Sequence, residues 1–184
     1  MSERVFQAWA KIPRLEAEVM TITEKIDGTN ACIVITEDDI YAQSRTRIIT
    51  PEQDNHGFAR WVEEHKDSLR VDLGVGRFYG EWFGAGIQRK YGMDDKWFAL
   101  FNAHRFVPQV GHFDTPNITS VPILHSGPSL DFLLARQYAD WLYDQGSRLV
   151  PGFMKPEGVV IHLKLGGATY KITDAKAGEK LCSA

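Results

Sequence analysis

Thr23-Glu24-Lys25-Ile26-Asp27-Gly28-Thr29-Asn30 is the stretch on which the reading of this chain turns. Ala17-Glu18-Val19-Met20-Thr21-Ile22 precedes it, and Ala31-Cys32-Ile33-Val34-Ile35-Thr36 follows. Both flanks are rich in β-branched and apolar residues, so the segment reads as strand, short polar loop, strand. A lysine held in such a loop becomes a nucleophile once its surroundings remove its proton. Free lysine titrates near ~10.4, so burial, neighbouring cations or a metal ion must help. The rest of the chain has to supply these.

The bulk composition narrows the setting. A chain of 184 residues fits one domain with a sizeable core. Hydrophobic content of 43% and charged content of 24% are ordinary for a soluble globular protein. No apolar run approaches the ~20 residues of a membrane span, and no signal-peptide pattern opens the chain. The expectation is a cytoplasmic protein with no membrane partner. Cys32 and Cys182 have neither metal-ligand nor redox spacing, and the scattered histidines show no ligand spacing. The net charge of −3 gives no global pull on nucleic acid, so such binding needs a local basic patch.

Outward from the lysine loop, Ile40–Ser44 reads as a third strand, running into Arg45-Thr46-Arg47. Phe58, Trp61, Val62, His65 and Leu69 recur at helical spacing, predicting one amphipathic helix over 57–69. Arg77–Gly84 is aromatic and strand-like, and a glycine-bracketed loop then carries Gln88, Arg89 and Lys90. Trp97–Phe106 reads as a buried strand, 108–122 as loop, and Val121–Leu124 as a short strand. Leu130 to Leu142 give a second helical face, so 129–144 is expected to be a helix capped by Ser129. Val159–Leu165 and Ala168–Thr173 read as a hairpin on a Gly166-Gly167 turn. Two helices and many strands joined by short turns make an α+β chain with largely antiparallel sheet.

A lysine attacking a nucleotide phosphate needs a cation for the phosphate, carboxylates for metal or ribose, and a ring for the base. Candidates exist for each. Arg45 and Arg47 follow a strand, Glu81 sits among aromatics, Glu157-Gly158 precedes an apolar run, Lys171 lies in the last strand, and Phe101 ends an apolar strand. Each has an ordinary reading when taken alone: Lys25 as a solvated loop residue, Glu81 and Glu157 as surface or salt-bridged groups, the arginines as a solvated strand end, Phe101 as core. A two-residue turn would set Lys171 opposite His162, on a face with Lys164 and Thr169. Regular alternation would then turn Glu157 away from Lys171. For the two to share a site, the chain must bulge near Gly158 or Glu157 must lie just before the strand.

Lys-x-Asp-Gly at 25–28, Ser-Arg-x-Arg at 44–47, Gly80-Glu81, Phe101-Asn102, Glu157-Gly158-Val159-Val160 and a strand lysine at 171 occur in one order. That order resembles the covalent nucleotidyltransferase superfamily of ATP-dependent DNA ligases, RNA ligases and mRNA capping enzymes. Thr-Glu-Lys-Ile-Asp-Gly-Thr-Asn, with Gly84, Gly86 and Gln88 after Gly80-Glu81, looks most like its RNA ligase 2 branch. The resemblance implies two mainly antiparallel sheets flanked by helices, with the nucleotide in the groove between them. It implies an ATP-dependent RNA ligase: Lys25 takes AMP from ATP, passes it to a 5′-phosphate end, and a 3′-hydroxyl seals the strand.

At matching positions, Arg45 would contact the nucleotide or the 5′-phosphate, Glu81 the ribose, and Phe101 the adenine. Glu24 would lie near the adenine, with Ile26 beside it in the nucleotide site. Glu157 would organise Mg²⁺ or Mn²⁺, and Lys171 would neutralise the phosphate. Asn30 and Gln88 match positions of nucleic-acid end recognition, with Arg47 and Arg89 as further nucleic-acid contacts. The partners implied are RNA ends, at a nicked duplex or elsewhere, and a separate accessory protein.

Two departures stand out. Thr173 replaces the second lysine common in the final motif, with Lys176 beyond it as a substitute. Relatives also add a C-terminal or OB-fold domain, whereas 1–184 is expected to be a single nucleotidyltransferase domain. The alternatives are a DNA ligase catalytic domain and a nucleotide- or RNA-end-binding module limited to self-adenylylation.

Overall fold

The two strands that flank Lys25 enter different sheets, and this division organises the molecule. The computed structural model describes residues 8, 10–12, 14–106, 113–128 and 130–173. Among them the strands are β1 Met20–Lys25, β2 Thr29–Ile35, β3 Ile40–Ser44, β4 Ile48–Ile49, β5 Gly76–Gly84, β6 Lys96–Leu100, β7 Ile118–Ser120, β8 Ile123–Gly127, β9 Gly158–Leu163 and β10 Thr169–Thr173. The α-helices are α1 Phe58–Glu64, α2 Lys66–Leu73 and α3 Phe132–Gln145.

One sheet has the order β10-β9-β1-β8, the other β4-β3-β2-β5-β6-β7. All pairings are antiparallel except β6 with β7, so the α+β, two-sheet expectation holds. The chain crosses between sheets after β1 and again after β7. Glu24 N donates to Pro122 O at 3.0 Å, tying the two crossings together.

Alternation gives each sheet one covered face. Ile33, Ile35, Phe78, Trp82, Phe98 and Leu100 of the larger sheet pack on Phe58, Trp61, Val62 and Leu69 of α1 and α2. Met20, Ile22, Val159 and Ile161 of the smaller sheet pack on Ala135, Ala139 and Leu142 of α3. A third cluster of Ile26, Phe83, Tyr91, Ala99, Ala103 and Val121 lies where the sheets meet. Large aromatic side chains dominate the first cluster and carry much of its burial energy.

Several boundaries differ from the sequence reading for identifiable reasons. The helix expected over 57–69 is two helices, because the chain breaks at His65, whose Nδ1 lies 2.8 Å from Trp61 O. The strand expected to reach Phe106 ends at Leu100, where Asn102 O accepts from Arg105 and Phe106 N–H and starts a turn. The 108–122 region contains β7, a strand too short for its alternation to be seen. Helix α3 starts at Phe132 rather than at 129, because Asp131 is its cap, accepting from Leu133 and Leu134 N–H. Ser129, the expected cap, lies outside the described residues, as do Lys176 and Cys182.

The last hairpin is shifted by two residues. Thr169 pairs with His162, and Lys171 pairs with Val160 rather than His162. The connection is longer because Glu18 intercepts it: Leu165 N donates to Oε1 at 2.7 Å and Gly166 N to Oε2 at 3.0 Å. A shift of two keeps every side chain on its expected face.

Gly158 has φ +142°, and a Cβ there would strike the Ile172 carbonyl. Gly158→Ala is therefore expected to cost about 2–3 kcal/mol, from backbone strain and the clash together. Urea melts of the two proteins would measure it, and equal midpoints would disprove it.

Candidate active site

Lys25 ends β1, and its strand partner is Gly158, whose other partner is Thr173 of β10. Glu157 lies immediately before β9, as one of the two sequence alternatives required. Its Oε2 accepts from Lys25 Nζ at 2.6 Å, in a half-buried ion pair. Tyr143 of α3 holds the same turn, its hydroxyl donating to Glu157 O at 3.4 Å. Two pairs further along, Thr23, Val160 and Lys171 stand in a row on Lys25's side of the sheet. Lys171 is exposed there, next to the half-buried Val160.

The loop from Lys25 to Thr29 is pinned to the larger sheet. Gly28 N donates to Glu81 Oε1 at 3.1 Å, and Asn30 Nδ2 donates to Glu81 Oε2 at 3.1 Å. Glu81 sits opposite Asn30, on the face of β5 turned away from α1. At residue 28 only glycine fits, because a Cβ would run into the Trp82 carbonyl and the Phe83 side chain. Asp27 N donates to the Tyr91 hydroxyl at 2.8 Å. Asp27 Oδ2 accepts from Arg89 Nε at 2.9 Å, and Arg89 also donates to the carbonyls of Lys155 (2.9 Å) and Pro156 (3.4 Å). Arg89 thus joins the lysine loop to the segment before Glu157. A cavity of about 410 Å³, lined by Arg89, Phe153 and Lys155 among others, opens on the outer side of this contact.

Burial sets the electrostatics. Desolvation pushes the Glu81 carboxyl up to about 7, against the pull of the Lys25 ammonium and the Gly28 N–H. Burial likewise raises the Glu24 carboxyl and the Tyr91 phenol. Alternation turns the Glu24 side chain from Lys25's face. Its Oε2 accepts from Arg148 N at 2.8 Å and Leu149 N at 3.0 Å, bracing the loop after α3. Ile26 is buried in the cluster between the sheets.

The remaining candidates lie around this centre. Phe101 follows β6, and its N–H donates to Tyr79 O at 2.9 Å. Its ring is 45% exposed and shares the β5–β6 face of Glu81 and Ala99, so it is open to stacking rather than core. Arg45 and Arg47 are exposed in a turn closed by Ser44, whose Oγ accepts from Thr46 and Arg47 N–H. Gln88 is exposed with φ +42°. Lys25 with Glu157, Asn30 with Glu81 and Asp27 with Arg89 thus form three bonded pairs along one loop, with Lys171 on Lys25's face and Phe101 on that of Glu81. Tyr91, Tyr143 and Val160 went unseen in the sequence; strand alternation from Lys171 would have found only Val160.

Among the described residues no three His, Cys, Asp or Glu side chains converge as a metal cage. A single carboxylate such as Glu157 fits an ion of the Mg²⁺ kind, which takes most of its ligands from substrate phosphates and water.

A profile of the RNA ligase family matches residues 18–172. The chain belongs to the RNA ligase family. Its fold is also similar to solved structures of a Naegleria gruberi RNA ligase. A variant of that ligase with ATP and Mn matches with a TM-score of 0.63 at 17% identity, over 89% of this chain and 52% of that one. The same ligase with pyrophosphate matches with a TM-score of 0.57 at 18% identity, over 89% and 51%. This RNA ligase family chain spans about half the length of those structures.

The raised Glu81 value makes a pH prediction. Folding favours its protonated form, so this contribution to stability is full below about 4.5 and is lost as pH rises through about 7. Its size is of order 3 kcal/mol. Relative to Glu81→Gln, the wild-type protein should lose stability between pH 4.5 and 8 in guanidinium melts. A difference independent of pH would refute the assignment.

Proposed function

We propose that this chain is an ATP-dependent RNA ligase module working through a covalent Lys25–AMP intermediate. The observation that carries the reading is the Lys25–Glu157 pair at 2.6 Å, set beside a buried Glu81 that anchors the same loop. A nucleophilic amine, its nearest proton acceptor and a ribose-competent carboxylate then stand together in a chain of the RNA ligase family.

ATP would lie between the two sheets. Phe101 and Val160 offer apolar surfaces for the base, Glu81 accepts from ribose hydroxyls, and the main chain at Glu24 and Ile26 borders the base edge. The neutral Lys25 amine attacks the α-phosphorus. The N–P bond forms, the bond to the bridging oxygen breaks, and pyrophosphate departs with that electron pair. The amine proton passes to Glu157, the nearest acceptor, while Lys171 balances charge on the phosphate. Glu157 would hold a Mg²⁺ or Mn²⁺ ion together with phosphate oxygens and water, which supplies further charge neutralisation at the α-phosphate.

A 5′-phosphate oxygen next displaces Lys25 from phosphorus, and the amine regains a proton. A 3′-hydroxyl then attacks the activated end and AMP leaves. All three steps build charge on one phosphorus, so one electrostatic site serves them. Arg45, Arg47, Asn30 and Gln88 would receive the RNA end. The setting we assign is RNA repair in the cytoplasm, with an accessory protein as a further partner. A second reading, self-adenylylation without sealing, is favoured by Thr173, which stands in the row of Lys25 and Gly158 where a second cation would serve.

Incubation with α-labelled ATP and Mg²⁺ or Mn²⁺ should give a covalent AMP adduct that Lys25→Ala abolishes. No adduct from folded protein would overturn the reading. Glu157→Ala should slow adduct formation about a hundredfold, the usual scale for losing one preorganised electrostatic group. Addition of 5′-phosphorylated RNA separates sealing from self-adenylylation alone, and a DNA 3′-hydroxyl strand tests for a 2′-hydroxyl requirement.

A further inference from the structure

The face of the larger sheet that carries Glu81 continues well beyond the lysine loop, and there it is uncovered. Register places Asn30 opposite Glu81 and Ala99. The next row on that face runs Ile48, Gln43, Cys32 and Tyr79 across four strands, and then Phe101 just after β6. Cys32 is buried and forms the floor. Around it Ile48 is 59%, Tyr79 58% and Phe101 45% exposed. Neither aromatic ring stacks on another among the described residues. One row further on the same face, Arg77 Nη1 donates to Gln43 Oε1 at 2.7 Å, so a guanidinium is held between these two rows.

Beyond Glu81, the charge on these two rows has one sign. Arg77 stands on this face and Arg45 and Arg47 stand at its edge, while the two rows carry no carboxylate. Exposed π-faces flanked by guanidinium groups suit unstacked bases joined by phosphates. They do not suit a perfect duplex, whose bases already stack on one another. The step from Glu81 to Tyr79 is two strand residues, about 6.8 Å, close to the pitch of an extended nucleotide.

We propose that Tyr79, with Arg77 and Gln43, forms a base-stacking platform for the unpaired 5′-terminal nucleotides of the RNA strand presented to Lys25. This rests on the ligase reading and narrows its substrate class to single-stranded or frayed ends. The Tyr79 ring takes a terminal base, and Arg77 takes the phosphate beyond it. Phe101 remains free for the adenine of the nucleotide.

Fluorescence anisotropy with a 5′-phosphorylated single-stranded RNA of about ten nucleotides tests this. Tyr79→Ala should weaken binding about tenfold, and Tyr79→Phe should restore it, since stacking needs the ring and not the hydroxyl. An RNA lacking its two 5′-terminal bases should bind wild-type protein about tenfold more weakly, and Tyr79→Ala should then add no further loss. Unchanged affinity in Tyr79→Ala overturns the proposal. So does equal binding of the abasic strand, or tighter binding of a nicked RNA duplex than of the single strand. The AMP adduct of wild-type protein is measured in parallel. Loss of the adduct with the Tyr79 effect intact would sink the ligase reading but keep the platform. An adduct without any Tyr79 effect would do the reverse.

Discussion

The site depends on the pairing of Lys25 with Gly158. Because the ladder between β1 and β9 stops at that pair, Glu157 is released from strand alternation just where the lysine ends its own strand. Its carboxylate can then swing to the amine, a contact that a regular strand through 157 would forbid. Gly158 makes this possible through its left-handed backbone and its missing side chain, which lets the Ile172 carbonyl approach. Tyr143 from α3 and Arg89 from the loop after β5 hold the same corner from outside. One backbone junction thus places the Lys25 amine beside its carboxylate partner.

Glu81 makes the complementary connection. A buried carboxylate with a value near 7 is costly to keep charged, and the fold offsets this with the Gly28 N–H, the Asn30 amide and the nearby Lys25 ammonium. Those same donors belong to the lysine loop and the strand after it. The bonds that steady the carboxylate therefore also position the loop that carries Lys25. Ribose hydroxyls would add further donors to an acceptor that the protein only partly satisfies.

Much of this was legible in the sequence, and the reasons differ from part to part. Two β-branched runs around a polar loop specify β1 and β2, and Glu157 followed by a glycine and an apolar run specifies the edge of β9. Alternation also gave the right face for Lys171. Its exact partner was not legible, since the hairpin register is set by Glu18, some 150 residues earlier, accepting from Leu165 and Gly166. Arg89 read as a nucleic-acid contact in a glycine-bracketed loop, and nothing local announced its bond to Asp27. Glu24 read as part of a motif, yet its side chain braces residues 148–149 on the other side of the strand. In each case a polar group was claimed by a partner distant in sequence, and no local pattern encodes that.

The two places where the chain passes between sheets have a consequence of their own. The lysine loop and the segment after β7 run side by side, joined by the Glu24 N–H to Pro122 O bond. The two crossings therefore form one seam at which the main chain itself fastens the sheets together, and Lys25 stands at the end of the strand that enters it.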